Sequence, residues 1–94
     1  MSKLDKKLKR IEKFLDRQQE KLLTKYDATM EREVFTPGHE DNNNIFAIVK
    51  LAFNSKTRSY PSSYVYVTFK SSVEDTKEYI KYLVNEFLRL EYNV

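Results

Sequence analysis

Residues 45–53 read IFAIVKLAF, a run in which apolar side chains occupy odd and even positions alike. Successive side chains of a β-strand point to opposite faces of the sheet, so this run predicts a strand that is buried on both faces and therefore central. The polar segment before it opens with Pro37-Gly38, a pair typical of a type II turn. Short connections of this kind favour antiparallel pairing between segments that are neighbours along the chain.

Further strands are predicted on either side of this run. Residues 29–36 carry several charges, which is typical of a strand at the edge of a sheet. Residues 64–70 alternate between two faces, with the valines and Phe69 expected to point inward and Tyr64 and Tyr66 outward. The pattern therefore predicts a three-stranded antiparallel sheet made of residues 29–36, 45–53 and 64–70.

Apolar residues recur at helical spacing at both ends of the chain. In residues 3–26 the apolar stripe consists of Leu4, Leu8, Ile11, Leu15, Leu22 and Tyr26. In residues 73–91 it consists of Val73, Ile80, Leu83, Val84, Phe87, Leu88 and Leu90. Phe14 lies outside the first stripe. Ser72, followed three residues later by Asp75, predicts the N-cap of the second helix.

The predicted architecture is a single α+β domain over residues 1–94, with the order α-β-β-β-α and two amphipathic helices beside the sheet. If both helices cover the same face, the other face exposes Phe46, Ile48, Tyr64 and Tyr66, or else the alternate residues of the central strand. An exposed patch of that size usually marks an interface. The alternative arrangement has one helix on each face.

The composition excludes several classes of protein. The chain has no cysteine, which excludes a disulfide scaffold, a cysteine zinc site and a thiol nucleophile. No apolar run approaches the roughly 18 residues of a membrane span, so we expect a soluble cytoplasmic protein with no membrane partner. The only histidine, His39, lies in a polar loop where three consecutive ligands cannot surround a metal ion. With no P-loop and no nucleophile and base pair, we expect no enzymatic activity, cofactor or metal.

Positive charge is concentrated on one flank of the first helix. This flank carries Lys3, Lys6, Lys7, Arg10, Lys13, Arg17, Lys21 and Lys25, and the opposite flank carries Asp5, Glu12 and Asp16. Like charges four residues apart cost an isolated helix a few tenths of a kcal/mol per pair, so helix stability alone does not favour this segregation. A basic ribbon about 30 Å long could follow the phosphates of a nucleic acid. The simpler interpretation is a solvated helix that packs through its apolar stripe.

A second basic region, residues 45–71, contains no acidic residue. Lys56 and Arg58 lie in its polar connection, and Tyr64 and Tyr66 follow on the third strand. Tyrosines on a sheet face can stack the bases of a single strand, although tyrosine is also a common residue of ordinary strands.

Our preferred hypothesis is non-enzymatic nucleic-acid binding by a homodimer. The predicted nucleic-acid-binding residues are Lys6, Arg10, Lys13, Arg17, Lys21, Lys56, Arg58, Tyr64 and Tyr66. The stripe of the first helix is close to a heptad seam, so Leu8, Ile11 and Leu15 are expected to contact either the sheet or a second chain. The alternative is a small protein-binding module, an inhibitor or adaptor of the kind that phages and mobile elements encode. Such a module would use the same basic helix or residues 37–44.

The α-β-β-β-α order resembles that of the double-stranded RNA-binding domain. That family carries a lysine cluster at the start of its last helix, whereas residues 71–75 of this chain read SSVED, whose acids would repel phosphate. The resemblance therefore stops at the order of the elements, which assigns no family.

Overall fold

A computed structural model describes residues 3–36 and 45–94. Helix α1 spans Lys3–Tyr26, strands β1, β2 and β3 span Thr29–Phe35, Ile45–Asn54 and Ser63–Thr68, and helix α2 spans Val73–Tyr92. The predicted α+β class and α-β-β-β-α order are confirmed. The predicted turn at Pro37-Gly38 and the loop that holds His39 lie outside the described residues.

The sheet is antiparallel and has the order β1-β2-β3, so β2 is the central strand. The apolar residues at both odd and even positions of β2 predict this place. One row of directly opposed residues across the sheet is Phe35, Ile48 and Tyr66. The next row on the same face is Glu33, Lys50 and Tyr64. The pairing of β2 with β3 shifts between Ile45 and Ala47, which marks a β-bulge at that end of the sheet.

Both helices pack on one face of this sheet. Every second residue of β2 is buried, namely Ala47, Val49, Leu51 and Phe53. These side chains form one core cluster with Ile11, Leu15 and Leu22 of α1 and with Ile80, Val84 and Phe87 of α2. Ile48 and Lys50, which have the other parity, stay partly exposed. None of the described elements covers that second face, so the arrangement with one helix on each face does not occur.

Two phenylalanines lie elsewhere than their patterns predict. Phe14 is buried instead of lying outside the stripe, because α2 packs on its side of α1 and brings the Lys77 ammonium to 5.6 Å from the ring centroid. Phe69 is exposed instead of facing inward. The third strand ends at Thr68, whose N–H donates to the Ser71 hydroxyl at 3.2 Å, so the chain leaves the sheet before Phe69.

Two more apolar residues depart from their predicted surfaces. Phe46 packs partly against the core, because the bulge between Ile45 and Ala47 interrupts the alternation that would place it on the open face. Its ring meets that of Phe69 edge-on, with centroids 5.7 Å apart. Leu90 is exposed because it lies at the margin of the α2 stripe, where no described element covers it.

Candidate nucleic-acid interface

The basic flank of α1 faces solvent because β1 contacts the opposite, acidic flank. Arg32 of β1 donates to the Glu12 carbonyl at 3.1 Å and forms an ion pair with Asp16. This contact turns the acidic flank toward the β1 side of the molecule. The other flank stays exposed, and we call five of its exposed residues the basic ribbon: Lys6, Arg10, Lys13, Arg17 and Lys21.

The basic ribbon borders the groove between the two helices. The Arg17 guanidinium lies 5.8 Å from the Phe14 ring centroid, and Lys77 of α2 lies 5.6 Å from the same centroid. Phe14 therefore forms an apolar floor between cations from both helices, an arrangement that cation–π attraction stabilises. Lys77 was not among the predicted contact residues, since only the packing of α2 against α1 brings it to this groove.

The cations of the basic ribbon have no acidic partner among residues 3–36 and 45–94. In contrast, Lys77 and Lys81 on α2 pair with Glu74 at 3.6 Å and Glu78 at 3.5 Å. Consecutive ribbon residues are three or four positions apart, which corresponds to a rise of about 4.5 to 6 Å between them. The arrangement concentrates uncompensated positive charge along one line, which is what an anionic polymer needs.

At the start of α1 the ribbon adjoins a shallow cleft of about 330 Å³. Its lining consists of Lys3, Lys6, Lys7, Arg10, Ser71, Ser72 and Val73. Ser72 caps α2 as predicted, because its hydroxyl accepts the Asp75 N–H at 3.0 Å. The cleft thus joins ribbon cations to the first turn of α2.

Lys7 belongs to the basic flank by sequence, but in the fold it forms hydrogen bonds that connect separate elements. Its ammonium donates to the Thr68 carbonyl at 2.8 Å and also to the Ser71 carbonyl. Thr68 ends β3 and Ser71 lies in the connection to α2, so Lys7 links α1 to the end of the strand and to that connection. The sequence pattern does not distinguish it from its neighbour Lys6, which is exposed.

The basic connection between β2 and β3 is compensated by acids. Lys56 forms an ion pair with Asp27 at 2.6 Å, and the hydrogen bond to this carboxylate raises the pKa of Lys56. The Arg58 guanidinium lies 3.9 Å from the Glu91 carboxylate and 5.8 Å from the Tyr60 ring centroid. Lys56 and Arg58 therefore present little uncompensated charge to a ligand.

This connection also lies at the far end of the helical layer from the cleft. Lys56 shares a surface with Tyr26 and Tyr92, the last residues of α1 and α2. The cleft lies at the first turns of the same two helices. A joint site would require Lys56 and Arg58 to lie near Lys6 and Arg10. The structure does not bring them together.

Tyr64 and Tyr66 are 46% and 54% exposed and belong to the open face of the sheet, at the edge that is remote from α1. A ligand lying along the basic ribbon therefore does not reach them. Their own face carries Glu31 and Glu33, which line a cavity of about 360 Å³ together with Lys50. Carboxylates at this position oppose the approach of phosphate, so the two tyrosines and the ribbon do not form a single interface.

The three residues expected at a helical seam pack within the chain itself. Ile11 and Leu15 are fully buried in the core, and Leu8 packs against that core. Of the two contacts predicted for them, the structure shows the one with the chain's own sheet and helix layer. In this fold Ile11 and Leu15 are not available to a second chain, whereas Leu8 is only partly buried.

The described residues contain neither a membrane-spanning helix nor a metal-binding cluster. Neither helix in residues 3–36 and 45–94 has a stretch that is both long and apolar enough to cross a bilayer. No group of three or more histidine, aspartate or glutamate side chains in the same residues is arranged to hold a metal ion. The alternative loop for protein binding, residues 37–44, lies outside this part of the chain. Comparisons with protein-family models, curated proteins and solved structures find no match.

Proposed function

We propose that this protein binds nucleic acid through its phosphates, with the basic ribbon of α1 as the contact surface. The observation that supports this function is the segregation of uncompensated cations on one exposed helix flank. Six other cations of the described chain pair with acids, but those of the ribbon do not. A phosphate backbone would supply the missing anions in a regular row.

The fold refines which residues belong to the proposed interface. Lys6, Arg10, Lys13, Arg17 and Lys21 remain, whereas Lys56 and Arg58 are compensated and the strand tyrosines lie on the opposite surface. Contacts of this kind position a nucleic acid without reading its bases, so we propose binding with little sequence preference. An acidic protein surface is the competing ligand, because it could pair with the same cations.

The test is a fluorescence-anisotropy titration of single- and double-stranded oligonucleotides at several salt concentrations, with two variants of equal charge. The ribbon variant replaces Arg10, Lys13 and Arg17 by Gln. The control variant replaces Lys56, Arg58 and Lys81 by Gln. Each variant loses three positive charges, which takes the net charge from +3 to zero. The variants therefore have the same net charge, and they differ in whether the removed charges belong to the ribbon or to ion pairs elsewhere.

If all three ribbon cations contact phosphates of duplex DNA, the slope of log K against log salt should become shallower by about 2 to 3, since each contact contributes about 0.9. The control variant should keep the wild-type slope. An equal loss in both variants would mean that net charge alone attracts the nucleic acid. An unchanged slope in the ribbon variant, with the fold intact by circular dichroism, would contradict the proposal and favour the acidic protein surface.

A further inference from the structure

The outer edge of β3 has no partner strand in the part of the chain that the structure describes. Strand β3, Ser63–Thr68, pairs with β2 on one side and with no other strand among the described residues. It contains no charged residue and no proline. The other edge strand, β1, carries Glu31, Arg32 and Glu33 in succession. Natural sheets use such charges to prevent edge-to-edge pairing. The charges of β1 therefore disfavour pairing of its edge with another strand, and β3 has no such charges.

An apolar strip of α2 runs alongside the outer edge of β3. Tyr79, Tyr82 and Leu90 are 45%, 56% and 56% exposed. Tyr79 and Tyr82 stack with their ring centroids 6.2 Å apart, and Tyr79 lines a cleft of about 270 Å³ together with Tyr64 and Tyr66 of β3. Leu90 follows Tyr79 by eleven residues, which returns it to the same flank of the helix. Exposed apolar residues that continue from a free strand edge mark an interaction surface.

The sequence of β3 fits a second copy of itself. Residues 64–67 read YVYV, so antiparallel pairing centred on Val65 or Tyr66 places valine opposite valine or tyrosine opposite tyrosine. Because directly opposed residues share a face, both copies keep their helices on the same side of the joined sheet. No like charges meet within the paired β3 strands, and among the described residues the one charged residue that lines the cleft beside this edge is Asp75 of α2. The same pairing of β1, centred on Arg32, would oppose Glu31 to Glu33 of the second copy and Arg32 to itself.

We infer that the chain forms a homodimer by antiparallel pairing of its two β3 strands. The two three-stranded sheets become one continuous sheet, and the α2 strips of the two copies pack against each other above the junction. Main-chain hydrogen bonds supply attraction along the edge, and the tyrosine strips bury apolar surface. This interface is separate from the basic ribbon, because the ribbon borders the side of α2 that faces α1. The inference therefore holds or fails independently of nucleic-acid binding.

The test is sedimentation velocity of the full chain over a range of concentrations, with two matched variants. Tyr66→Lys and Phe35→Lys place the same charge in the same cross-strand row and on the same open face, but on β3 and β1 respectively. The wild type should show concentration-dependent dimerisation, Tyr66→Lys should be monomeric, and Phe35→Lys should behave as the wild type. A monomeric wild type up to its solubility limit would overturn the inference. Equal loss of dimer in both variants would also overturn it, since stacking of open faces would then be the mode of association.

Cross-linking gives an independent readout, because the chain has no cysteine of its own. In either β3 register the two Tyr66→Cys side chains are directly opposed or diagonal neighbours, within about 8 Å of each other. A short bismaleimide should therefore join two Tyr66→Cys chains and leave Phe35→Cys chains single. A Tyr66→Cys chain that stays single, or equal cross-linking of both variants, would count against the β3 interface.

Discussion

Lys6 and Lys7 are adjacent on the basic flank, yet the fold predicts opposite effects when either is replaced by Met. Lys7 donates to the Thr68 and Ser71 carbonyls, whereas Lys6 is exposed and has no ion-pair partner among the described residues. Methionine keeps an unbranched apolar side chain of similar length and removes only the ammonium. The pair of substitutions therefore separates a structural lysine from a proposed phosphate contact.

The expected stability loss for Lys7→Met follows from its hydrogen bonds. A hydrogen bond that involves a charged group contributes about 1.5 to 3 kcal/mol, and the partial exposure of Lys7 reduces this value. We expect the free energy of unfolding to fall by about 1 to 2 kcal/mol. In a domain of this size each kcal/mol lowers the melting temperature by about 4 to 8 °C. Lys6→Met should change the stability by less than about 0.5 kcal/mol.

Thermal and urea melts measure the first effect, and the salt dependence of nucleic-acid binding measures the second. Lys6→Met should make the slope of log K against log salt shallower, because it removes a proposed phosphate contact. Lys7→Met should leave that slope unchanged, because its ammonium is already engaged by carbonyls. Equal destabilisation by the two substitutions would refute the structural role of Lys7. An effect on the salt slope from Lys7→Met alone would refute the division between the two lysines.

Two further predictions concern the core and the acid stability of the fold. Ile80→Ala should lower the free energy of unfolding by about 2 to 5 kcal/mol, because the side chain is fully buried between α2 and the sheet; a cost below about 1 kcal/mol in urea melts would contradict this packing. The Tyr60 hydroxyl donates to the Glu91 carboxylate and lowers its pKa from the ordinary value of 4.5. The stability that this contributes is present above that ordinary value and is lost as the pH falls through the lowered pKa. Tyr60→Phe should therefore lose less stability on acidification than the wild type does. Thermal melts at a series of acidic pH values measure this, and an equal loss of melting temperature in the two proteins would disprove the assignment.

The secondary structure could be predicted from local patterns because its causes are local. The two apolar parities of residues 45–53 predict a central strand, and helical spacing of apolar residues predicts both helices. The N-cap at Ser72 depends on Asp75, three residues away, so it too can be recognised without knowledge of the fold. The exposed basic flank of α1 follows from the same periodicity.

The composition of the candidate site depended on contacts between segments that are far apart in the sequence. Periodicity shows which side of an element is apolar but not which element packs against it. Because both helices pack on the same sheet face and against each other, Phe14 is buried. The other face stays open, and Tyr64 and Tyr66 lie on it, opposite the basic ribbon. The ion pairs of Arg32, Lys56 and Arg58 were likewise decided by tertiary structure, whereas those within α2 join residues three positions apart.

The sequence by itself determined the α-β-β-β-α order, the central strand and the positive flank of α1, because each depends on residues within a few positions of one another. The tertiary structure alone decided that Lys56 and Arg58, two cations of a polar connection, each lie beside a carboxylate. Lys56 meets Asp27 and Arg58 meets Glu91 only after the ends of both helices converge on the connection between β2 and β3. Charge compensation is a property of the distance between side chains in space, and that distance is set by packing.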